Sequence, residues 1–259
     1  MADYSAPDGA PIWFDLTSSD PERAVEFYGA LFGWEAKAPN PEFAGYRDFT
    51  LDGDPIAGLA PHLPEAGGPA DVWNVYLRTD DAQATAARIV AFGGEEVFPP
   101  MAVGDLGVLG YARDSAGAAV GYWQSGDHPG FRAWGVHGAP YWFECHSRDR
   151  AQALGFYRDV FGARPEPVPG APGGYTQLFY GDTAYAGLMD ANALPLPGEV
   201  PTSWSVYLYA DDVAATAARA LELGGSIVRG AERTPYGTLA TVTDPMGAVF
   251  SLGHAPEPS

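Results

Sequence analysis

The pattern of apolar and polar residues switches regularly between the period of a strand and the period of a helix. Residues 11–17 alternate between two faces and are rich in aromatic and aliphatic side chains, which predicts a β-strand. Apolar residues three to four positions apart follow, which predicts a helix capped by Ser19 or Asp20. A glycine after the periodic stretch, Gly33, is typical of a helix C-terminus. The chain is therefore predicted to begin with a strand and a helix.

The same order of elements returns further along the chain. Three short strands are predicted near residues 34–37, 45–51 and 55–61. Residues 72–79 then predict another strand, and the next helix is predicted to be capped by Asp80 and to end at Gly93. Three more strands are predicted up to about residue 124. The pattern therefore predicts two βαβββ modules in the first half of the chain.

The second half of the chain repeats the first at a nearly constant spacing. The block that opens at Pro11 returns at Pro140, and the block that opens at Asp71 returns at Thr202. A third block, which opens at Arg113, returns at Thr243 in the same order. Repeated blocks in a fixed order indicate a tandem duplication. We therefore predict an α+β protein built from four βαβββ modules.

The duplication also predicts two domains of ordinary size. The predicted boundaries are 8–125 for domain 1 (modules 8–62 and 71–125), 126–139 for the linker, and 140–254 for domain 2 (modules 140–190 and 202–254). The linker is rich in glycine but contains Phe131 and Trp134, so we expect it to be docked. The sequence leaves open whether the modules pair within one half or across the two halves.

Composition restricts the classes of partner and the compartment. The net charge of −19 disfavours nucleic acid and anionic membranes as partners, because both would be repelled. Cys145 is the only cysteine, so a disulfide within the chain is impossible. The N-terminus lacks a basic start followed by an apolar run, and no apolar stretch approaches the length of a membrane span. We therefore predict a cytoplasmic protein whose partner is a small molecule.

Several motifs carry a resemblance to a known superfamily. The first helix of each half follows the pattern D-x-x-x-A-x-x-F-Y-x-x-x-F-G, and each half later has a turn with Asp and, three residues on, Gly, at Asp114 and Asp244. These motifs resemble the vicinal oxygen chelate superfamily, which includes glyoxalases, bleomycin-resistance proteins and extradiol dioxygenases. The two-repeat form is similar to actinobacterial glyoxalase-like proteins, among them a mycobacterial antigen and Streptomyces proteins labelled hydroxylases.

The resemblance implies two glyoxalase/bleomycin-resistance-like domains, each with a curved mixed sheet around a cup-shaped cavity. It also implies a monomer that is an internal pseudo-dimer, or a homodimer. In members that bind a metal, three side chains of the cup ligate it. The matching positions here are Trp13, Asn74 and Gly121 in the first half and Trp142, Ser205 and Ser251 in the second. None of the six is His, Cys, Asp or Glu, so we predict degenerate metal sites, no metal and no cofactor.

The alternation of strand side chains predicts what lines the cups instead. Trp13 and Asp15 lie on one face of the first strand, and Trp142, Glu144 and His146 lie on the matching face in the second half. Aromatic walls with one acid suit a planar or aromatic ligand held by stacking and hydrogen bonds. The predicted ligand-binding residues are Trp13, Trp142, Asn74, Tyr76, Ser205, Tyr207 and His146.

Three functions remain open on these grounds. The first is a binding protein for an aromatic or planar small molecule. The second is a metal-independent enzyme, a hydroxylase, isomerase or lyase, in which Asp15 or Glu144 acts as general acid or base. The third is a metal-dependent glyoxalase-type lyase. The plainer interpretation of both acids is that they accept hydrogen bonds from neighbouring Trp, Tyr or backbone groups.

Overall fold

In the described part of the chain, residues 4–193 and 202–254 of a computed structural model, each half forms one eight-stranded sheet and carries two α-helices. The strands of the first half are β1 (Pro11–Ser18), β2 (Glu35–Ala36), β3 (Arg47–Leu51), β4 (Asp54–Pro61), β5 (Val72–Arg78), β6 (Glu95–Val103), β7 (Gly107–Arg113) and β8 (Ala119–Ser125). Those of the second half are β9 (Pro140–Ser147), β10 (Arg164–Pro167), β11 (Thr176–Tyr180), β12 (Thr183–Asp190), β13 (Ser203–Tyr209), β14 (Ser226–Thr234), β15 (Gly237–Thr243) and β16 (Val249–His254). The helices are α1 (Pro21–Phe32), α2 (Ala82–Ala91), α3 (Arg150–Phe161) and α4 (Val213–Glu222). The predicted α+β class is confirmed.

The two modules of each half join through their first strands. In the first sheet the strand order is β2-β3-β4-β1-β5-β8-β7-β6, and β1 pairs with β5 in antiparallel fashion. The second sheet repeats this order as β10-β11-β12-β9-β13-β16-β15-β14. Both sheets are mixed, since β1 also pairs in parallel with β4 and, in the second half, β9 with β12. Module pairing therefore occurs within each half, and each cup belongs to one half.

The helix ends follow the local sequence signals, with one correction. The Asp20 carboxylate accepts the backbone N–H of Arg23 at the start of α1, and the helix ends at Gly33 in the left-handed conformation. At the start of α2 the cap is Asp81 and not Asp80, because Asp81 accepts the backbone N–H three residues on. Asp80 instead accepts a hydrogen bond from Arg78. In the described residues, none of the helices is both long and apolar enough to cross a membrane.

Each sheet has its helices on one face. The helix-bearing faces of the two sheets pack together into one continuous core that both halves share. Phe14 of β1 is fully buried there, 5.9 Å in ring-centroid distance from Phe143 of β9. The halves also exchange two buried hydrogen bonds: Tyr28 donates to Asp244 at 3.3 Å, and Tyr157 donates to Asp114 at 2.8 Å. The opposite faces, which carry Trp13 and Trp142, are left to form the two cups.

The linker between the halves is docked, as its aromatic residues suggested. Phe131 is buried, and its backbone N–H donates to the carbonyl of Ile12 in β1. The ring of Tyr4 stacks on Phe131 and on Trp134, with centroid distances of 4.7 and 4.9 Å. The backbone of the linker is thereby held against the edge of the first cup.

Candidate functional site

The first cup, the concave face of the first sheet around Asp15, is organised by that carboxyl group. Asp15 lies opposite Asn74 in the β1–β5 ladder and is almost completely buried. Its Oδ1 accepts the amide N–H of Asn74 at 2.8 Å, and its Oδ2 accepts the hydroxyl of Tyr76 at 2.8 Å. The Tyr46 hydroxyl lies beside this carboxyl group. Burial outweighs these hydrogen bonds and raises the pKa of Asp15 to about 6.

Trp13 reaches Asp15 through Tyr46. The indole Nε1 of Trp13 donates to the Tyr46 hydroxyl at 2.8 Å, and that hydroxyl lies beside Asp15 over Gly58. Tyr46 can lie across the sheet because the strand beneath it has a glycine: a Cβ at Gly58 would overlap the Tyr46 hydroxyl. We call this arrangement of tryptophan, tyrosine and acid above a glycine the relay.

Asn74 connects Asp15 to two further side chains by hydrogen bonds. Its amide nitrogen also donates to the Thr17 hydroxyl at 3.0 Å, and its carbonyl oxygen accepts the hydroxyl of Tyr111 at 2.7 Å. The predicted residues Trp13, Asp15, Asn74 and Tyr76 are therefore brought together. Asn74 acts mainly as a positioning residue, because its amide is occupied by neighbouring side chains.

A cavity of about 680 Å³ lies over this network. Its floor is formed by Trp13, Asp15, Tyr46 and Tyr76. Apolar side chains of the β6–β7 hairpin form one wall, namely Met101, Ala102, Val103, Leu106 and Leu109. Other lining residues include Phe43, Trp123, His128 and the ion pair of Lys37 with Asp48, whose Nζ and Oδ2 are 2.9 Å apart. The cup is thus an aromatic and aliphatic pocket with one buried acid at its floor.

The second cup, around Glu144, contains the same relay with different partners. Trp142 donates to the Tyr175 hydroxyl at 2.7 Å, Tyr175 lies near Glu144, and a Cβ at Gly187 would overlap Tyr175. Tyr207 also lies near Glu144.

His146 joins this network from two residues further along β9, with its Nε2 2.7 Å from Glu144 Oε1. Ser205 lies directly opposite Glu144 in the β9–β13 ladder. The predicted residues of the second cup are thus also adjacent to one another.

The positions that the resemblance assigned to metal ligands hold other contacts. In the first cup, Trp13 serves the relay, Asn74 holds Asp15, and a Cβ at Gly121 would overlap the Tyr76 ring. In the second cup, Trp142 donates to Tyr175, and Ser251 lies opposite Tyr207 in the β13–β16 ladder. Across the described residues, no group of three or more His, Cys, Asp or Glu side chains is placed to hold a metal ion.

Two functional elements of the first cup were not predicted. The first is the pair of Tyr46 and Gly58. Tyr175 and Gly187 occupy the matching positions in the second copy of the repeat, so a comparison of the two copies could have indicated the relay. The second is His128, which had no such signal, because it belongs to the linker and reaches the cup only through the docking of that segment.

Comparison with known proteins agrees with this architecture. The model of the Glyoxalase/Bleomycin resistance protein/Dioxygenase superfamily matches residues 11–122 and again residues 143–252. A Mycobacterium tuberculosis protein named "Putative glyoxylase CFP32" is 37% identical over 250 residues, covering 94% of each chain. The anthracycline biosynthesis protein DnrV of Streptomyces peucetius is 37% identical over 259 residues, covering 94% of this chain and 92% of the relative.

Solved structures share the fold at low sequence identity. The Mn(II)-bound glyoxalase from Novosphingobium aromaticivorans aligns over 96% of this chain and 83% of its own, with a TM-score of 0.68 and 17% identity. The 2,3-dioxygenase LapB from Pseudomonas sp. KL28 aligns over 98% of this chain and 96% of its own, with a TM-score of 0.66 and 12% identity. With two matched domains and full-length relatives, the chain belongs to the glyoxalase/bleomycin resistance protein/dioxygenase superfamily.

Proposed function

We propose that this protein binds a planar aromatic small molecule in the first cup. The observation that carries the proposal is the cavity of about 680 Å³ above Trp13, Asp15, Tyr46 and Tyr76. Cavities of small-molecule sites span roughly 300–1,000 Å³ and are mostly apolar with a few polar groups. Aromatic side chains on the floor and walls favour a flat ligand, because stacked rings gain contact area at low conformational cost.

Asp15 supplies the polar contact to that ligand. A carboxylate has about four lone-pair positions, and Asn74 and Tyr76 occupy two of them. Acceptor positions are left over, and Asp15 is among the residues that line the cavity. A hydroxyl group on the ligand would complete the coordination of the acid. The proposed ligand therefore carries a hydroxyl on an aromatic ring.

The name of one relative supports the same class of ligand. The anthracycline biosynthesis protein of Streptomyces peucetius matches this chain along nearly its full length. Anthracyclines contain a fused, hydroxylated aromatic ring system, which has the flat shape and the hydroxyl donors that the first cup suits. The second cup has the same relay and contributes Trp142, Ser205, Tyr207 and His146 as proposed contacts for a ligand of this class.

Binding is proposed to need no metal, since none of the six residues at the predicted ligand positions is His, Cys, Asp or Glu. Trp13 and Asn74 form hydrogen bonds within the protein, and Gly121 leaves room for a tyrosine ring. Elemental analysis of untagged protein tests this proposal. One equivalent of zinc, nickel, iron or manganese per chain, lost in the Asn74→Ala variant, would contradict it.

A second candidate function is favoured by one observation. Burial raises the pKa of Asp15 to about 6, and a carboxyl group with a pKa near neutrality can exchange a proton with a bound hydroxylated ligand. In that case the protein is a metal-independent enzyme with Asp15 as general acid or base. Incubation with hydroxylated aromatic compounds followed by mass spectrometry tests it: product formed by the wild type and absent with Asp15→Asn supports catalysis.

The binding proposal is tested by titrating 2-hydroxyanthraquinone and following the quenching of tryptophan fluorescence. We expect saturable binding, and we expect Asp15→Asn to weaken it about tenfold or more, because a hydrogen bond to a charged group contributes about 1.5–3 kcal/mol. Glu144→Gln is the matched variant of the second cup. Equal affinities of the wild type and Asp15→Asn would contradict the role of Asp15.

A further inference from the structure

We propose that His128 is a second polar anchor of the first cup, and that its Nε2–H donates to a carbonyl oxygen of the bound ligand. The inference rests on the proposed function and narrows its ligand class. The ligand would carry a hydroxyl group for Asp15 and a carbonyl group for His128 on one planar ring system, as a hydroxyquinone does.

The His128 ring is held between two tryptophans of the cup. It lies edge-on to Trp13 at a centroid distance of 4.5 Å and an interplanar angle of 85°, and edge-on to Trp123 at 5.9 Å and 84°. The same residue lines the cavity together with Asp15. Because both rings that contact it belong to the cup, the imidazole is fixed in orientation before any ligand arrives.

The hydrogen bonds around His128 assign its tautomer. Its Nδ1 accepts the backbone N–H of Gly130 at 3.2 Å, so the proton of the neutral ring lies on Nε2. Burial lowers the pKa of His128, which favours the neutral ring near pH 7. Among the described residues Nε2 has no hydrogen-bond partner, although it belongs to a residue of the cavity wall. An acceptor on the ligand would give this donor a partner.

The linker backbone fixes the position of this donor. Trp123 donates its Nε1 to the carbonyl of His128 at 3.0 Å, which ties the linker to β8. Gly130 has a φ of 92°, and a Cβ there would overlap the backbone carbonyl of Ile12. The segment that connects the two halves is therefore also built as part of the first cup.

The two proposed anchors, Asp15 and His128, are separated along the direction of β1. Trp13 and Asp15 are two residues apart on β1, a separation of about 7 Å along the strand. His128 contacts the Trp13 end of this stretch, while the carboxyl group marks the other end. A single small polar molecule would not engage both groups, whereas a fused-ring compound with polar groups at opposite ends would.

Three probes separate the two anchors. 2-Hydroxyanthraquinone has both the hydroxyl and the carbonyl, 2-hydroxyanthracene has only the hydroxyl, and 2-methoxyanthraquinone has the carbonyls without the hydroxyl. His128→Asn keeps an oxygen near the Nδ1 position that can accept from Gly130 and removes the donor at Nε2. His128→Gln places an amide donor near the Nε2 position. The matched control is His62→Asn, at a half-buried loop position that does not line the cavity.

We expect His128→Asn to weaken the binding of both quinones about tenfold and to leave 2-hydroxyanthracene within about twofold of the wild type. His128→Gln is expected to restore much of the loss for the quinones. Thermal unfolding of each variant is measured alongside, so that a change in stability is recorded separately. An equal loss for all three probes would indicate a purely structural role and would overturn the inference, as would unchanged affinities in both His128 variants.

The experiment also separates this inference from the proposed function. If the wild type binds 2-hydroxyanthraquinone and Asp15→Asn weakens it while His128→Asn does not, the inference fails and the binding proposal stands. If none of the three probes binds the wild type, the proposed function fails and the inference fails with it.

Discussion

The two cups share one relay and differ in what completes it. In both, a tryptophan donates to a tyrosine that lies beside the acid, above a glycine: Gly58 in the first cup and Gly187 in the second. The acids differ by one methylene group, and their partners differ as well. Asp15 accepts a hydrogen bond across the ladder from Asn74, whereas Glu144 bonds along its own strand to His146. The same relay is thus completed by different neighbours in the two cups.

The difference has an electrostatic consequence. Asn74 and Tyr76 are neutral donors, so the first carboxyl group is buried without a basic group among its hydrogen-bond partners. The second carboxyl group has an imidazole nitrogen at 2.7 Å. The first acid is therefore held by neutral donors alone, whereas the second has an ionisable partner.

The largest expected effect comes from filling the space beneath the relay. In Gly58→Ala the new Cβ would overlap the Tyr46 hydroxyl, so the tyrosine must move away from Asp15 and the hydrogen bond from Trp13 is lost. We expect a loss of about 3 kcal/mol in the free energy of unfolding, measured with urea. Gly187→Ala should cost a similar amount if the two relays are equivalent.

Gly230→Ala is the control for these substitutions, because no atom lies within 4 Å of its added Cβ. If Gly58→Ala lowered the free energy of unfolding no more than Gly230→Ala does, the relay would not depend on the close approach of Tyr46 to the strand.

The second prediction concerns the pH dependence of stability. The pKa of Asp15 is about 6 in the folded protein against an ordinary value of 3.8, so the folded state holds this proton more tightly. The stability difference between the wild type and Asp15→Asn should therefore shift against the wild type as pH rises from about 4 to above 6, by up to about 3 kcal/mol. Urea unfolding of both proteins at several pH values measures it.

Other carboxyl groups titrate in both proteins and cancel in this difference. A pH-independent offset is also expected, because the amide introduced by Asp15→Asn would face the donors that now serve the carboxylate. A flat difference between pH 4 and pH 7 would show that folding does not raise the pKa of Asp15.

The third prediction compares equivalent ladder positions. Asn74 lies opposite Asp15, and Ser205 lies opposite Glu144. Asn74→Ala removes hydrogen bonds to three side chains, so we expect a loss of about 2 kcal/mol in stability. Ser205→Ala should cost less than about 0.5 kcal/mol. Similar costs for the two variants, measured by denaturant unfolding, would mean that the networks do not differ in the way the hydrogen bonds indicate.

The smallest expected effect is in a feature that the halves share. Asp81 and Asp212 cap equivalent helices, each accepting a backbone N–H at 2.9 Å. We expect Asp81→Ala and Asp212→Ala each to lower the melting temperature by an amount equivalent to about 1 kcal/mol. Asp80→Ala is the control, because Asp80 holds an exposed ion pair with Arg78 and should cost little. A larger effect for Asp80→Ala than for Asp81→Ala would reverse the assignment of the cap.

The sequence allowed the fold to be predicted because the repeat shows each element twice. Strand and helix periods recur in the same order and at nearly the same spacing, and the same side chains recur at matching places. Strand alternation was sufficient to bring Trp13, Asp15 and Tyr76 to one surface, because neighbours on one face and one ladder need no knowledge of distant chain segments. Whether these residues bind a ligand stays a prediction.

The unpredicted parts of the site depend on packing between distant segments. Tyr46 reaches Asp15 only because Gly58, on the strand that separates β3 from β1, leaves room for its ring. His128 reaches the cavity only because the linker docks on β1 through Phe131. Asp81 was missed as a cap by one residue, which is the usual uncertainty at a helix end.

The reciprocal hydrogen bonds between the halves bear on how the two copies can diverge. Tyr28 of the first copy serves Asp244 of the second, and Tyr157 of the second serves Asp114 of the first. Loss of either tyrosine would leave a buried carboxyl group in the opposite copy without that donor. Each copy therefore limits which substitutions the other copy can accept. The relays make no such exchange, since each draws its side chains from its own half. The residues of one cup can therefore change without affecting the other cup, whereas the core residues that bond across the halves must be kept in both copies.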